Sequence, residues 1–225
     1  MLGRETPWFD TRPGGGFPPG VDGIQRFEGG YLLTNGYLIA TPGGGHLMVD
    51  APMDAVEWLQ HRGVKPEALL LTHQHFDHVM SAAAIAAMGV PVYAWNTFSR
   101  SLTLEEVVRQ WGMPFDVEEF SVDHILEGHD QLAVGGLTFS LLHVPGHSSD
   151  SVVFHLPEKE LLFAGDTLFH GSTGRGDLPG GDLDLLCRGI SEKLYPLPHD
   201  TRVLPGHGDA TTIGRERTSN AVVRA

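Results

Sequence analysis

"EALLLTHQHFDH", residues 67–78, sets a short apolar run directly before three histidines and an aspartate that fall within seven positions. The run is too short for a globular helix, so it reads as a buried strand with the ligand-type side chains at its C-terminal end. Strand ends are where α/β sheets form crevices. His73 and His75 alternate by two and can point to one side of an extended segment. Asp77 and His78 sit where the chain turns into the Ala-rich "DHVMSAAAIAAMG". Imidazole and carboxylate with no thiolate nearby suit Zn²⁺, Mn²⁺ or Fe²⁺.

The segments on either side keep a regular rhythm. Upstream, "YLLTNGYLIA" and "GHLMVDA" read as adjacent strands joined by "TPGGG", and "MDAVEWLQHRG" as a helix stopped by Gly63. The Pro/Gly-rich residues 1–23 read as an N-terminal arm. Downstream, the Ala-rich helix ends at Gly89, "VPVYAW" is a strand, and "TLEEVVRQWG" is a helix. A hairpin follows around Gly135 and Gly136, then the strand pair "DSVVFHL" and "ELLFAGD", the helical "DLLCRGISEKLY", and a last strand, "TRVLPGH". The tail after Gly208 reads as trimming. Apolar strands alternating with helices predict an α/β (α+β) chain of two sheets covered by helices, with residues 1–225 forming a single domain.

Three more strand ends carry the same kind of polar turn. "VPGHS" places His147, "FAGDTLF" places Asp166, and "LPGHG" places His207. A lone histidine is usually an ordinary surface or core residue, and His46, His61, His124, His129, His155 and His199 are read that way. Five histidines and two aspartates on four successive strand-end turns are a different matter. Seven donors are about what two metal ions need once a water and a bridging carboxylate are counted.

Composition removes several classes. Fifteen Lys+Arg against 28 Asp+Glu leave a net charge of −13, so no basic surface is expected to track nucleic acid. No apolar run approaches the roughly 20 residues of a membrane span, and the N-terminus has no signal-like core. One cysteine, Cys187, cannot form an internal disulfide and suits a reducing compartment, so a cytoplasmic location is expected. A small-molecule partner is expected, and the sequence leaves a homo-oligomer open.

"THQHFDH", "VPGHS", "FAGDTLF" and "LPGHG", in this order, resemble the metal-binding motifs of the metallo-β-lactamase superfamily over roughly residues 35–207. The resemblance implies an αββα metallo-β-lactamase sandwich, two mixed β-sheets flanked by helices. It implies one ion on His73, His75 and His147, a second on Asp77, His78 and His207, and Asp166 bridging. The better-known zinc β-lactamases commonly carry Cys where Asp166 stands, which makes β-lactam hydrolysis a minor option. "GDTLFHGSTGRGDLPGGD" and "PGHGDATTIGRER" are most similar to the glyoxalase II-like branch, whose full-length members hydrolyse S-hydroxyacylglutathione. Those enzymes add a C-terminal glutathione-binding helical domain, for which only 17 residues remain after Gly208.

The expected activity is therefore metal-dependent hydrolysis of a thioester, hydroxyacylglutathione or a relative, with lactones and esters as further options. Two divalent ions, Zn²⁺ first and Fe²⁺ or Mn²⁺ next, would bring a bridging water to hydroxide near pH 7 and polarise the carbonyl it attacks. Asp77 and Asp166 are the expected catalytic carboxylates. Asp50 is a candidate partner for a ligand histidine, with a helix-cap role as its competitor, and His170 is a candidate for the outer shell. Arg175 reads as lining the pocket or pairing with a carboxylate, and Asp182 as capping the next helix. The rival reading is a persulfide dioxygenase, which resembles glyoxalase II but holds a single Fe²⁺ through His73, His147 and Asp166. A third reading, a metal-binding regulatory domain, leaves a complete donor set without a task.

Overall fold

Strands that are apolar on both faces need cover on both sides, and this chain builds two sheets of them. The structure, a computed structural model, describes residues 23–113 and 115–224. In the first sheet β1 (Ile24–Gly29), β2 (Thr34–Ala40), β3 (His46–Val49), β4 (Ala68–Leu70), β5 (Val92–Ala94) and β6 (His124–Ile125) lie side by side in chain order. The first three strands are antiparallel, and β3 to β6 are parallel. Helices α1 (Ala55–Arg62), α2 (Phe76–Val79), α3 (Ala82–Ala87), α4 (Arg100–Thr103) and α5 (Glu105–Gln110) fill the connections.

The second sheet takes β7 (Gln131–Val134), β8 (Leu137–His143), β9 (Val152–Leu156) and β10 (Leu161–Gly165) as a meander. A small hairpin, β11 (Leu168–Phe169) with β12 (Ser172–Thr173), and α6 (Leu183–Gly189) come next. Then β13 (Arg202–Pro205) lies parallel to β10, β14 (Thr211–Thr212) borders β13, and α7 (Ile213–Ser219) follows. Both sheets are mixed and flanked by helices, as the motifs implied.

Side-chain alternation sorts the apolar residues into three layers. Tyr37, Ile39, Leu70, Phe139, Phe154 and Phe163 meet between the sheets. Leu38, Met48, Leu69 and Leu71 face the other way, onto Leu59 of α1 and Ile85 of α3. Val153, Leu162 and Val203 do the same on the second sheet, against Leu186, Ile190 and Ile213. Phe139, Phe154 and Phe163 are fully buried, and burying each contributes about 1.5–3 kcal/mol.

Several expectations need correction. Residues 1–22 of the expected arm lie outside the described residues, and the sheet starts earlier than expected, with β1 at Ile24. Tyr31 to Leu33 form a turn rather than the start of β2, and Leu33 has φ +55°. The Ala-rich helix breaks between α2 and α3, because Ser81 gives its N–H to Ala51 O and its hydroxyl to Pro52 O. The helix expected over residues 103–112 breaks at Leu104, whose φ of +57° separates α4 from α5. The tail is no trimming. Glu216 of α7 is fully buried and accepts from Gly171 N, Thr211 Oγ1 and Asn220 Nδ2, which ties α7 to β14 and to the β11–β12 turn.

Candidate metal centre

Parallel β3 and β4 end together, so Asp50 arrives beside the segment that follows β4. Its carboxylate accepts the Thr72 N–H at 2.8 Å and the Thr72 hydroxyl at 2.8 Å. It also accepts from His78 Nδ1 at 2.9 Å, which leaves Nε2 for the site. Asp50 therefore steadies a donor histidine and caps no helix. The same device recurs. His147 Nδ1 donates to Arg175 O at 2.9 Å, His207 Nδ1 donates to Leu32 O at 3.1 Å, and Thr34 gives its hydroxyl to Asp77 at 2.8 Å. The two imidazole contacts set which nitrogen faces the centre, and the Thr34 bond orients the Asp77 carboxylate.

All seven expected donors converge. Three sets have donor atoms within 4.8 Å of one another: His73, His75 and His147; His73, His78 and Asp166; and Asp77, His78 and His207. Asp166 lies between the other two sets, 3.4 Å from His147 Nε2, 3.3 Å from His78 Nε2 and 3.4 Å from His207 Nε2. Nε2 of His73, His78 and His147 and Oδ1 of Asp166 are buried without a well-formed hydrogen bond. Buried orphans of this kind cost about 1–3 kcal/mol each, and two divalent cations would satisfy all four between them. The residues fit a metal pair.

The His207 turn is held from the opposite sheet. Asn35 donates to Pro205 O at 2.9 Å and Gly208 O at 3.0 Å, Tyr37 to Pro205 O at 2.7 Å, and Arg26 to Gly208 O at 2.9 Å. The Asn35 N–H takes Gly206 O at 2.7 Å. Arg175 pairs with Asp177 through two bonds, and Asp182 caps α6 through Leu185 N. His170 is exposed in the β11–β12 turn and, among the described residues, makes no hydrogen bond to the cluster.

Charge divides the cluster. Burial, and next the nearby His147, push His75 down to about 3, and burial with the neighbouring imidazoles holds His73 well below the usual value. Both are neutral at pH 7, ready to ligate. Burial works against protonated His78, but Asp77, Asp166 and Asp50 outweigh it and hold its pKa well above the imidazole range. Burial opposes His207 too, yet Asp166 leads in raising it to about 10. Burial would raise Asp77, but His78 brings it down to about 2. The metal-free protein thus carries protons on His78 and His207 at neutral pH, and ligation needs neutral imidazole. Metal loading at pH 7–8 is expected to release about two protons per chain, fewer as pH rises through about 10, with apparent affinity rising over the same range. Calorimetric titration of Zn²⁺ in buffers of different ionisation enthalpy measures this, and buffer-independent heats would contradict the charge assignment.

A cavity of about 400 Å³ opens onto the donors and is walled by Phe76, Trp111, Met113 and Phe169 among others. Sequence reading missed this wall, because its residues come from separate elements that only the fold brings together.

The fold has close counterparts. A solved structure named BLEG-1 B3 metallo-beta-lactamase superposes with a TM-score of 0.81 at 35% identity, covering 90% of this chain and all of that one. TTHA1623, solved in a di-iron-bound form, gives 0.75 at 36% identity over 85% of this chain and 96% of that one. In sequence, hydroxyacylglutathione hydrolase GloC of Haemophilus influenzae is 36% identical over 169 residues, 73% of this chain and 79% of GloC. The family profile of the metallo-beta-lactamase superfamily matches residues 29–207, from the end of β1 to the last of the seven donors. With its sandwich, its strand-end donors and that profile in agreement, the chain belongs to the metallo-β-lactamase superfamily, whose fold implies a binuclear divalent metal site.

Proposed function

We propose that the protein is a glyoxalase II-like hydrolase of thioesters. His73, His75 and His147 would hold one divalent ion, Asp77, His78 and His207 a second, and Asp166 both. The observation that carries this reading is the convergence of seven donors rather than three. Similarity to GloC supports the thioester class. Zn²⁺ is the proposed ion, with Fe²⁺ next in view of the di-iron relative, and the proposed location is the cytoplasm, where Cys187 stays reduced.

When bound, divalent ions polarise a substrate carbonyl and bring water toward ionisation at neutral pH. The chain's own residues do the rest. Asp50, Arg175 O and Leu32 O hold three imidazoles in the ligating orientation. Asp77, ionised and held by Thr34, lines the cavity and would accept a hydrogen bond from the attacking water. Phe76, Trp111 and Phe169 keep bulk solvent from the carbonyl. Hydrolysis joins the water oxygen to the acyl carbon, breaks the C–S bond and passes a proton to the thiolate.

The single-iron dioxygenase reading draws on His73, His147 and Asp166 of the same donor set, so the reaction catalysed and not the ligands separates it from hydrolysis. A second hydrolytic reading, β-lactam opening, is favoured by one observation, the likeness to the BLEG-1 structure. The test compares kcat/KM of metal-loaded protein on S-lactoylglutathione, on a short thioester with the same acyl group, and on a chromogenic cephalosporin. Both thioesters are expected to turn over, within about 10³-fold of each other, since the remote tripeptide supplies binding more than chemistry. Chelation is expected to abolish both rates and added metal to restore them. Cephalosporin turnover alone would replace the thioesterase reading, as would O₂ uptake with glutathione persulfide by iron-loaded protein that cleaves no thioester.

A further inference from the structure

The donors open onto two cavities with different linings. The larger, about 400 Å³, has apolar walls from Leu104, Val107, Trp111, Met113, Phe169 and Leu178. Among its lining residues the one Lys or Arg is Arg175, whose guanidinium already holds Asp177 at 2.6 and 2.8 Å and lies 5.8 Å from the Trp111 ring centre. The smaller cavity, about 210 Å³, is lined by Ser101, Ser148 and Ser149 together with Leu102, Leu104 and Pro179. His75 and Leu104 line both, so the cavities meet at the first histidine triad.

Away from the metal donors, a carboxylate-bearing arm would need a cation to offset its desolvation, and Arg175, the one Lys or Arg of the described lining, is already paired with Asp177. The net charge of −13 further disfavours an anionic substrate. Apolar walls instead reward an uncharged chain or ring by about 0.8 kcal/mol per buried methylene, about fourfold in an equilibrium or rate constant. Ser148 gives its hydroxyl to Asp150 and Ser101 shares its own with Ser99, so these oxygens are left as acceptors for a short polar arm without charge.

Resting on the hydrolase reading, we infer that the substrate is a two-armed thioester. A bulky apolar group fills the cavity beside Trp111, and a short hydrogen-bonding arm lies along Ser101, Ser148 and Ser149. Glutathione's two carboxylates have no place in that arrangement, which makes S-acylglutathiones poor substrates compared with long-chain neutral thioesters.

The experiment uses full-length, metal-loaded protein and two series of neutral thioesters. One series lengthens the acyl group on 2-mercaptoethanol, and the other lengthens the S-alkyl group on an acetyl ester. One series is expected to show kcat/KM climbing about fourfold per methylene over the first several carbons. Trp111→Ala is expected to flatten that slope and Trp111→Phe to retain it. Trp111 is half exposed at the end of α5, so neither change empties a core position. Calorimetric binding of non-hydrolysable alkyl 2-hydroxyethyl thioethers separates the two layers of inference. Affinity that climbs with chain length while no thioester turns over upholds the apolar cavity and overturns the hydrolase reading. Turnover that is flat in both series, or a slope that Trp111→Ala leaves intact, overturns the two-armed substrate and leaves hydrolysis standing.

Discussion

Asp166→Asn is expected to abolish turnover, with a loss greater than about 100-fold, the upper end for removing an outer partner of a ligand. Asp166 stands between three imidazoles, 3.3–3.4 Å from His78, His147 and His207. Its carboxyl is held well below the usual range, against burial, mainly by His78 and then His207, so it is anionic in the folded protein. Asparagine keeps the shape and removes the charge, which weakens both proposed ion sites at once. Asp50→Asn is the matched comparison. It deprives His78 of an anionic partner and leaves every donor in place, so a loss of about 10–100-fold in metal affinity or activity is expected. Metal content and kcat/KM measured on both variants decide the point, and equal losses would contradict the assigned roles.

Gly206→Ala is expected to be nearly as damaging, for a steric reason. A Cβ at this position would lie 2.2 Å from Asp166 Oδ1 and 2.6 Å from His78 Cε1. The methyl group would occupy the space in which these two donors meet, and both are buried with little room to yield. The expected result is a fall from about two bound ions to about one, with the His73, His75 and His147 triad retaining its own, and loss of most activity. Gly208→Ala two residues on supplies the control. Gly208 has φ +72° and open space around a Cβ, so the change costs only the left-handed backbone, about 1–2 kcal/mol, and should spare the metals. Metal analysis of the two purified variants separates them. Full occupancy in Gly206→Ala would show that the donors rearrange around the methyl group, contrary to the packing described.

The donor set was legible because it is written in residue identity at strand ends, where apolar runs stop abruptly. Much of its support was not. Arg175 and Leu32 hold His147 and His207 through their carbonyl oxygens, a role that any side chain could accompany. Asp50 could be suspected from its position but not separated from a cap until the parallel pairing of β3 and β4 placed it against Thr72 and His78. Strand β1 escaped notice because one of its inward positions is Arg26, a buried cation that breaks the apolar alternation. The anchoring role of α7 escaped for the same reason, since its buried anchor is Glu216, satisfied by partners that no hydrophobic pattern reports. His170, singled out for its proximity to Asp166, ended on an exposed turn because β11 and β12 reverse the chain there.

The clamp on the His207 turn also bears on how the protein is made. Arg26, Asn35 and Tyr37 reach partners 168–182 residues away in sequence, so the second ion site joins the start of the described chain to its last strands. Closing so long a loop carries a large entropic cost before any contact repays it, which places this step late in folding. A chain still emerging from the ribosome could assemble β1 to β5 and the "THQHFDH" turn, yet it would lack Asp166 and His207 until the strands that carry them had emerged. Ion capture at that second site would then act as the final latch between the two ends of the fold, and supply of metal during synthesis would bear on the yield of native protein as well as on its rate of turnover.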